Sequence, residues 1–340
     1  MKILHTSSNK REASRIALFL LGTALLLIVS FLSISLGRYS ISFQSLLDLL
    51  FGKEVPRNVY HIIINLRIPR LLASLLVGAA LSISGTMYQS IFQNPLVSPD
   101  LLGVTSGACV GAALSIIGGM ASHYIALFSF VTGVISVALC LGIASLTRSR
   151  SNLILVFSGI IIGRFMDSII GILKYFADAE SQLGDIVNWQ LGTMSKVTLA
   201  NVGIMAIIII PCVFISVLFR WRLNLLSVGE KDAHSLGVNV KVSRIVLIVL
   251  ATLMTAASVC FCGTISWVGL IIPHIARWLV GSDNRYTLPF SIIIGCTFLI
   301  LSDLIARAAT DYELPLGVIT GFIGAPVFGI ILFKNSKRAT

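Results

Sequence analysis

The hydrophobic positions of this chain lie in long uninterrupted runs, and polar residues are largely confined to the segments between them. The longest runs without Asp, Glu, Lys or Arg cover residues 16–37, 71–99, 101–147, 197–219, 245–276, 286–302 and 314–333. Several exceed the roughly 20 residues that a helix needs to cross a bilayer. They lack the alternation typical of barrel strands, and backbone amides in lipid must bond internally, so the pattern predicts transmembrane α-helices.

Glycine and proline divide the longest runs into separate helices. The run 101–147 is about twice the length of one span and should break at Gly118–Gly119, while the run 245–276 should break at Gly263 and again near Pro273. Ten spans are predicted, near 16–36, 71–92, 101–117, 122–146, 153–173, 199–219, 245–262, 266–280, 287–308 and 317–333. The expected fold is an all-α polytopic membrane protein.

We treat residues 1–340 as one transmembrane domain. Its N-terminal half, 1–198, carries the first five spans, and its C-terminal half, 199–340, carries the other five around an inner loop at 220–244. Glycines that recur every four residues predict close helix packing. They are Gly103, Gly107 and Gly111, then Gly159 and Gly163, and finally Gly317 and Gly321.

Composition and charge place the chain in a membrane and orient it there. The 340 residues are 56% hydrophobic and 11% charged, which excludes a soluble enzyme. With the N-terminus inside, the inner loops carry roughly twice as many Lys and Arg residues as the outer ones, so the positive-inside rule predicts cytoplasmic termini. The net charge of +11 is thereby explained by topology, and no nucleic-acid partner is expected.

Two connecting segments are too long to be simple turns. The outer segment 178–196 has a pattern compatible with a short helix at the membrane surface. In the inner segment 220–244, Gly229 and Gly237 bracket a polar piece of helix length. This inner segment suggests docking to another protein, and an idle connector is the alternative.

Several familiar catalytic and metal-binding motifs are missing from the chain. It contains no phosphate-binding loop of the Gly-x-x-x-x-Gly-Lys-Ser/Thr type, no His-Glu-x-x-His and no Gly-x-Ser-x-Gly. Its histidines are dispersed, and its six cysteines all fall in apolar runs, where they suit packing. We therefore expect no catalytic residue, no metal site, no bound cofactor and no hydrolysis of ATP by this chain itself.

Charged residues inside the spans are the sharpest functional signal, because an ionised group in lipid costs about 2.5 kcal/mol or more. Arg164 and Asp167 share one helical face, and Asp303 and Arg307 lie four residues apart. Each pair has two interpretations. The partners neutralise each other structurally, or they line a hydrated pathway.

Polar landmarks along nearly the whole chain resemble those of the FecCD-type permeases, which belong to bacterial importers for iron chelates, haem and vitamin B12. In the first half they are Arg67-Ile-Pro69-Arg70, Gly78 to Gly85, Gln89, Asn94-Pro95-Leu96 and Leu102-Gly103. In the second half they are Ser235-Leu236-Gly237, Gly263 to Arg277, Asp283-x-Arg285, Asp303 to Arg307, Glu313-Leu-Pro315-x-Gly317 and Gly324-Ala-Pro326. The departures are Trp267, where phenylalanine is commoner, and Asn284, where histidine is usual.

This resemblance implies a permease with the fold of type II ATP-binding-cassette (ABC) importers. Two copies form a homodimer around one pathway, two ATPase subunits bind ATP and Mg²⁺ below, and an extracytoplasmic binding protein delivers cargo from above. The expected cargo is an iron-siderophore chelate, with cobalamin, haem or molybdate as alternatives. The expected location is the bacterial cytoplasmic (inner) membrane.

The resemblance also assigns roles to individual residues. Docking of the binding protein falls to Arg67, Arg70 and Arg307, which are expected to be exposed charges. Coupling to the ATPase falls to His234, Ser235, Leu236 and Gly237. By the same resemblance the inner gate lies near Ser149, Ser151 and Asn152, while Arg164 and Asp167 are the charged candidates for the pathway from the spans themselves.

The main alternative function is a secondary transporter driven by an ion gradient, which could also use an inverted repeat and midplane charges. Dependence on ATP distinguishes it from an ABC importer. A receptor or purely structural membrane protein is less favoured, because it leaves the charges inside the spans unexplained.

Overall fold

The computed structural model describes residues 2–37, 39, 41–147, 152–229, 235–237 and 239–339, and within these ranges it contains helices and no strand. The α-helices are α1 (Lys2–Ser35), α2 (Phe43–Leu50), α3 (Arg57–His61), α4 (Ile68–Ile91), α5 (Val104–Ile117), α6 (Ser122–Leu146), α7 (Asn152–Phe176), α8 (Gln182–Leu191), α9 (Leu199–Leu218), α10 (Arg220–Val228), α11 (Val240–Cys262), α12 (Val268–Val280), α13 (Asn284–Ala308) and α14 (Leu316–Ala339). A π-helical segment, Ile62–Arg67, joins α3 to α4, and a short 3₁₀ helix, Pro99–Leu102, precedes α5.

Each of the ten predicted spans corresponds to an apolar helix. Seven are long and apolar enough to cross a membrane, namely α1, the continuous α3–α4 stretch, α6, α7, α9, α11 and α13. Three shorter apolar helices, α5, α12 and the first part of α14, complete the set. The breaks at Gly118–Gly119 and Gly263 are confirmed, because α5 ends at Ile117 and α11 at Cys262.

Helix α4 is the central helix of the bundle, and it packs against α9, α11, α12 and α13. Its small residues allow this contact on several sides. A Cβ atom added to Gly78 would lie 2.6 Å from the carbonyl oxygen of Gly295, and one added to Gly85 would lie 1.8 Å from that of Gly269. Helices packed this closely gain dispersion contacts that the surrounding lipid cannot replace.

The predicted glycine contacts are confirmed in part. A Cβ atom at Gly111 would lie 2.4 Å from the Phe128 carbonyl oxygen on α6, and one at Gly159 would lie 2.2 Å from that of Leu101. Gly163 and Gly321, in contrast, have room for a Cβ atom at ordinary contact distance. The prediction of tight packing is therefore wrong at these two positions.

The predicted break near Pro273 is also wrong, because α12 continues through this residue. Proline removes the N–H that would bond the carbonyl of Gly269, four residues earlier. The side chain of Gln89 on α4 supplies a replacement, since its Nε2 donates to the carbonyl oxygens of Leu270 at 3.1 Å and of Gly269 at 3.5 Å. A long-range hydrogen bond thus preserves the helix.

Two ends of the bundle carry the polar residues. We call the end with α2, α8 and residues 309–315 the outer end, and the end with α10 and residues 281–283 the inner end, following the predicted topology. At the outer end, α8 confirms the expected short helix. The second span begins earlier than predicted, because helical backbone runs from Arg57 to Ile91 and includes both Arg67 and Arg70.

Candidate functional site

A buried ionic cluster ties three parts of the outer end together. Arg70 on α4 donates from Nη2 to Asp303 Oδ1 at 2.6 Å and to Glu313 Oε1 at 2.8 Å. Its Nη1 also donates to Glu313 Oε2 at 3.0 Å, so the guanidinium holds that carboxylate with two nitrogens. Arg307 lies on the other side of Asp303, with 3.2 Å between its Nε and Asp303 Oδ2. The cluster joins α4 to α13 and to the loop that precedes α14.

Two arginines, Arg67 and Arg307 of the ionic cluster, hold the end of α1. Arg67 donates to the carbonyl oxygens of Ile34, Ser35 and Tyr39, and the Ser35 contact measures 2.8 Å. Arg307 donates to Leu36 O at 3.0 Å and to Ser33. The last carbonyls of a helix lack partners within the helix and carry partial negative charge, so two cations stabilise them.

Our expectation that the three docking arginines are exposed charges is wrong. Arg67 and Arg70 are buried, and only 11% of the Arg307 side chain is exposed. The predicted Asp303–Arg307 pair is present, and its burial shows that the two charges neutralise each other inside the bundle. Glu313 could not be predicted as a partner of Arg70, because 243 residues separate the two and no local spacing links them. The docking role itself stays a prediction.

Glu313 also contacts the segment that follows α8. Thr193 Oγ1 donates to Glu313 Oε1 at 3.2 Å, and the Thr193 backbone N–H donates to Cys262 O at 2.8 Å. The N–H of Leu316, at the start of α14, donates to Gly192 O at 2.9 Å. The outer ends of α8, α11 and α14 are therefore connected through the same few residues.

At the inner end, a second polar network connects α4 with α12. Arg277 donates to Gln89 Oε1, which places a cation beside the amide that also supports the Pro273 region. The ring nitrogen Nε2 of His274 lies 2.8 Å from the Pro95 carbonyl oxygen. The loop after α4 is thereby attached to α12.

Asp283 and Asn224 attach the start of the inner segment to the bundle. Asn224 on α10 donates to Asp283 Oδ1 at 2.6 Å and accepts from the Asn284 N–H at 2.7 Å. Partial burial on its own would raise the pKa of the Asp283 carboxyl. The pKa of this carboxyl nevertheless lies below its usual range. The causes are hydrogen bonds from the Arg285 backbone N–H and the Asn224 amide, together with the nearby guanidiniums of Arg285 and Arg15. Asn284, the departure noted above, is buried and donates to Ser90 Oγ at 3.3 Å.

Of the predicted coupling residues, His234 lies outside the described residues. Leu236 is 61% exposed and lies on the segment that is expected to project from the inner end. Gly237 has a φ of +78°, where a side chain would be strained, and a Cβ atom there would meet only open space. The described part of this segment therefore presents an apolar side chain beside a left-handed turn.

The predicted gate and pathway residues occupy different surroundings. Ser149 and Ser151 lie outside the described residues, while Asn152 at the start of α7 donates to Ile91 O at 3.1 Å and so supports the end of α4. Arg164 and Asp167 lie on α7, 3.7 Å apart, with 83% and 47% of their side chains exposed. They pair loosely within the chain, and both side chains face outward from the bundle.

Comparisons with known proteins agree with this architecture. The chain is 36% identical over 319 residues to the molybdate import system permease protein MolB of Haemophilus influenzae, covering 93% of this chain and 95% of that protein. It is 33% identical over 339 residues to the hemin transport system permease protein HmuU of Yersinia pestis, covering 97% and 99%.

A solved structure extends the comparison to three dimensions. It is an inward-facing conformation of an ABC transporter assigned to the metal-chelate type, and it is 35% identical to this chain. The superposition has a TM-score of 0.86 and covers 94% of this chain and 99% of the other. The sequence model of the FecCD transport family matches residues 25–334, so the chain belongs to the FecCD transport family and is the membrane-spanning permease of an ABC importer.

Proposed function

We propose that two copies of this permease and two ABC ATPase subunits form an importer in the bacterial cytoplasmic membrane, with both termini of each chain in the cytoplasm. A binding protein delivers the cargo from the outer side, and the ATPase subunits alone hydrolyse ATP. The single observation that carries the proposal is the TM-score of 0.86 to an ABC transporter over nearly the whole chain.

Coupling to the ATPase is proposed for the inner segment that contains Ser235, Leu236 and Gly237, with His234 beside them. The exposed Leu236 side chain would enter an apolar pocket of the ATPase and exclude water there. Motion of this segment would reach the bundle through Asn224 and Asp283, whose 2.6 Å hydrogen bond joins α10 to the start of α13.

Docking of the binding protein is proposed at the outer ionic cluster. Because Arg67, Arg70 and Arg307 are largely buried and already have partners in this chain, a carboxylate of the binding protein must replace one of those partners. Glu313 is the replaceable partner, since 28% of its side chain is exposed against 2% for Asp303. Exchange of one carboxylate for another costs little net electrostatic energy and suits a contact that forms and breaks repeatedly.

A Glu313→Gln variant tests this exchange. It removes the internal competitor, so the binding protein should dock more tightly, by severalfold at low salt, in surface plasmon resonance on the reconstituted importer. Asp48 is the matched control, because it lies outside the cluster, its side chain is also 28% exposed and it pairs with Lys53, so Asp48→Asn should leave the affinity unaltered. If the Glu313→Gln importer docks the binding protein with unchanged or lower affinity, Arg70 and its neighbours have a purely structural role.

The cargo that we propose is an iron chelate of the siderophore type. The support is the metal-chelate assignment of the solved ABC transporter at 35% identity and the hemin permease at 33%. The molybdate permease at 36% identity supports an oxyanion as the second candidate. Along the pathway, Arg164 and Asp167 on α7 would offer both charges to a passing cargo, with Asn152, Ser149 and Ser151 near the inner gate.

Co-purification and a binding screen test the assembly and its cargo. An affinity-tagged permease expressed with its ATPase should yield a complex with two copies of each subunit by native mass spectrometry. The binding protein should bind a ferric chelate. If it binds molybdate and no ferric chelate, the cargo is the second candidate, an oxyanion. Purification of the tagged permease without any bound ATPase would contradict the proposed assembly.

A further inference from the structure

A cleft of about 980 Å³ opens at the outer end between α6 and α9. Both helices pack against α11, whose last residues, Cys260 to Cys262, form part of the cleft wall. The wall also includes Glu313, which is held by Arg70, but the cleft otherwise lies apart from the ionic cluster and from the charged pair on α7. Apart from Glu313, none of its lining residues takes part in the proposed transport steps.

The cleft is polar at its rim and apolar below. Its rim carries loop and helix-end residues, among them His123, Asp185, Asn188, Lys196 and Asn201. Its lower part is lined by Ala126 and Phe130 on α6 and by Ile204 and Ile208 on α9. Ile208 lies nine residues into α9, so at 1.5 Å per residue the lining reaches about 13 Å below the start of the helix. An occupant that matches both parts is amphipathic.

The mouth of the cleft lies on apolar helix faces. Ile204 is 50% exposed and Leu127, opposite it on α6, is also exposed. Large exposed apolar residues continue along both helices, with Ile207 and Phe214 on α9 and Ile135 on α6. In a membrane protein such faces meet acyl chains, so lipid has direct access to the cleft from the side.

The rim offers charges of both signs. Among the described residues, neither the Lys196 ammonium nor the Asp185 carboxylate has an ionic or hydrogen-bonding partner, and both are exposed. The Lys196 ammonium can attract a phosphate, and the Asp185 carboxylate can attract an ammonium. A headgroup with only negative charge would gain the first contact but would be repelled by Asp185 and Glu313.

We propose that this cleft binds one phospholipid with a phosphoethanolamine headgroup, its phosphate and amine at the rim and part of an acyl chain between α6 and α9. The lipid would close the gap over the end of α11 and support the loops at residues 192–198 and 313–315. Placing this lipid in the outer leaflet rests on the proposed orientation of the chain. The binding of the lipid to the cleft does not depend on that orientation.

Native mass spectrometry of the purified importer, after exchange into mixed phosphatidylethanolamine, phosphatidylcholine and phosphatidylglycerol, tests the proposal. Each permease chain should retain one phosphatidylethanolamine. Ile204→Trp narrows the mouth of the cleft and should abolish retention, while Ile207→Trp, one turn further along the same helix and outside the lining, should not. Both positions are exposed, so neither variant should prevent folding.

Headgroup variants provide the second arm. Lys196→Gln should lower the retained ethanolamine lipid about fivefold, equivalent to about 1 kcal/mol, and Asp185→Asn should shift retention towards phosphatidylglycerol. Lys53→Gln is the control, because this exposed outer lysine pairs with Asp48 away from the cleft. Equal retention in the Ile204→Trp and Ile207→Trp variants, preference of the wild type for phosphatidylglycerol, or a dimer without any retained lipid would overturn the proposal. These readouts measure binding alone, so a failure of transport leaves them interpretable.

Discussion

Replacing Asp303 with asparagine should destabilise the permease more than any change to an exposed charge. Its carboxylate lies 2.6 Å from Arg70 Nη2 and 3.2 Å from Arg307 Nε, and 2% of the side chain is exposed. Removing one partner of a buried ion pair costs about 3–5 kcal/mol, because the other charge stays buried. Glu313 continues to hold Arg70, so we expect the lower end, about 3 kcal/mol.

The six cysteines supply an assay for this prediction, since all are buried and become reactive when the bundle opens. At about 2 °C per kcal/mol, the Asp303→Asn variant should unfold about 6 °C below the wild type in a thiol-reactive dye scan. The matched control is Asp167→Asn, whose pair with Arg164 is exposed and should contribute less than about 1 kcal/mol. Equal shifts in the two variants would refute the argument that burial and shared pairing make Asp303 important.

Three further changes follow from the packing and the inner segment. Gly85→Ala would place a Cβ atom 1.8 Å from the Gly269 carbonyl oxygen and should lower the unfolding temperature, whereas Gly142→Ala meets nothing within 4 Å and should raise it slightly. Leu236→Asp should leave membrane insertion intact but abolish co-purification with the ATPase, and normal uptake by this variant would contradict its coupling role. Asn224→Ala should reduce ATP-driven uptake without loss of ATPase binding, because it removes the link to α13 and not the exposed contact; a full loss of ATPase binding would contradict this.

The positions of most spans were predictable because their causes are local, although the second span starts earlier than its apolar run. A helix that crosses lipid needs a certain length of apolar residues, and glycine pairs such as Gly118–Gly119 end it wherever they occur. The short helix α8 followed from its own polar pattern in the same way. These features depend on residues that are neighbours in the chain.

The environment of the arginines could not be predicted, because its causes are distant in sequence. Arg70 meets Asp303 and Glu313 only after α4 packs against α13 and the last loop folds back. The error at Pro273 has the same origin, since the Gln89 side chain that compensates for the proline belongs to another helix. Intramembrane charges signalled that partners must exist, but they did not say which ones.

ATP-dependent uptake into proteoliposomes tests whether this permease works in an ABC importer. The permease, its ATPase and the binding protein are reconstituted together, and entry of a radiolabelled ferric chelate is followed with MgATP inside or outside the vesicles. We expect uptake only when the ATPase faces MgATP, and none with an ATPase that cannot hydrolyse it. Uptake by the permease alone, driven by a proton or sodium gradient, would show instead that the chain is a secondary transporter.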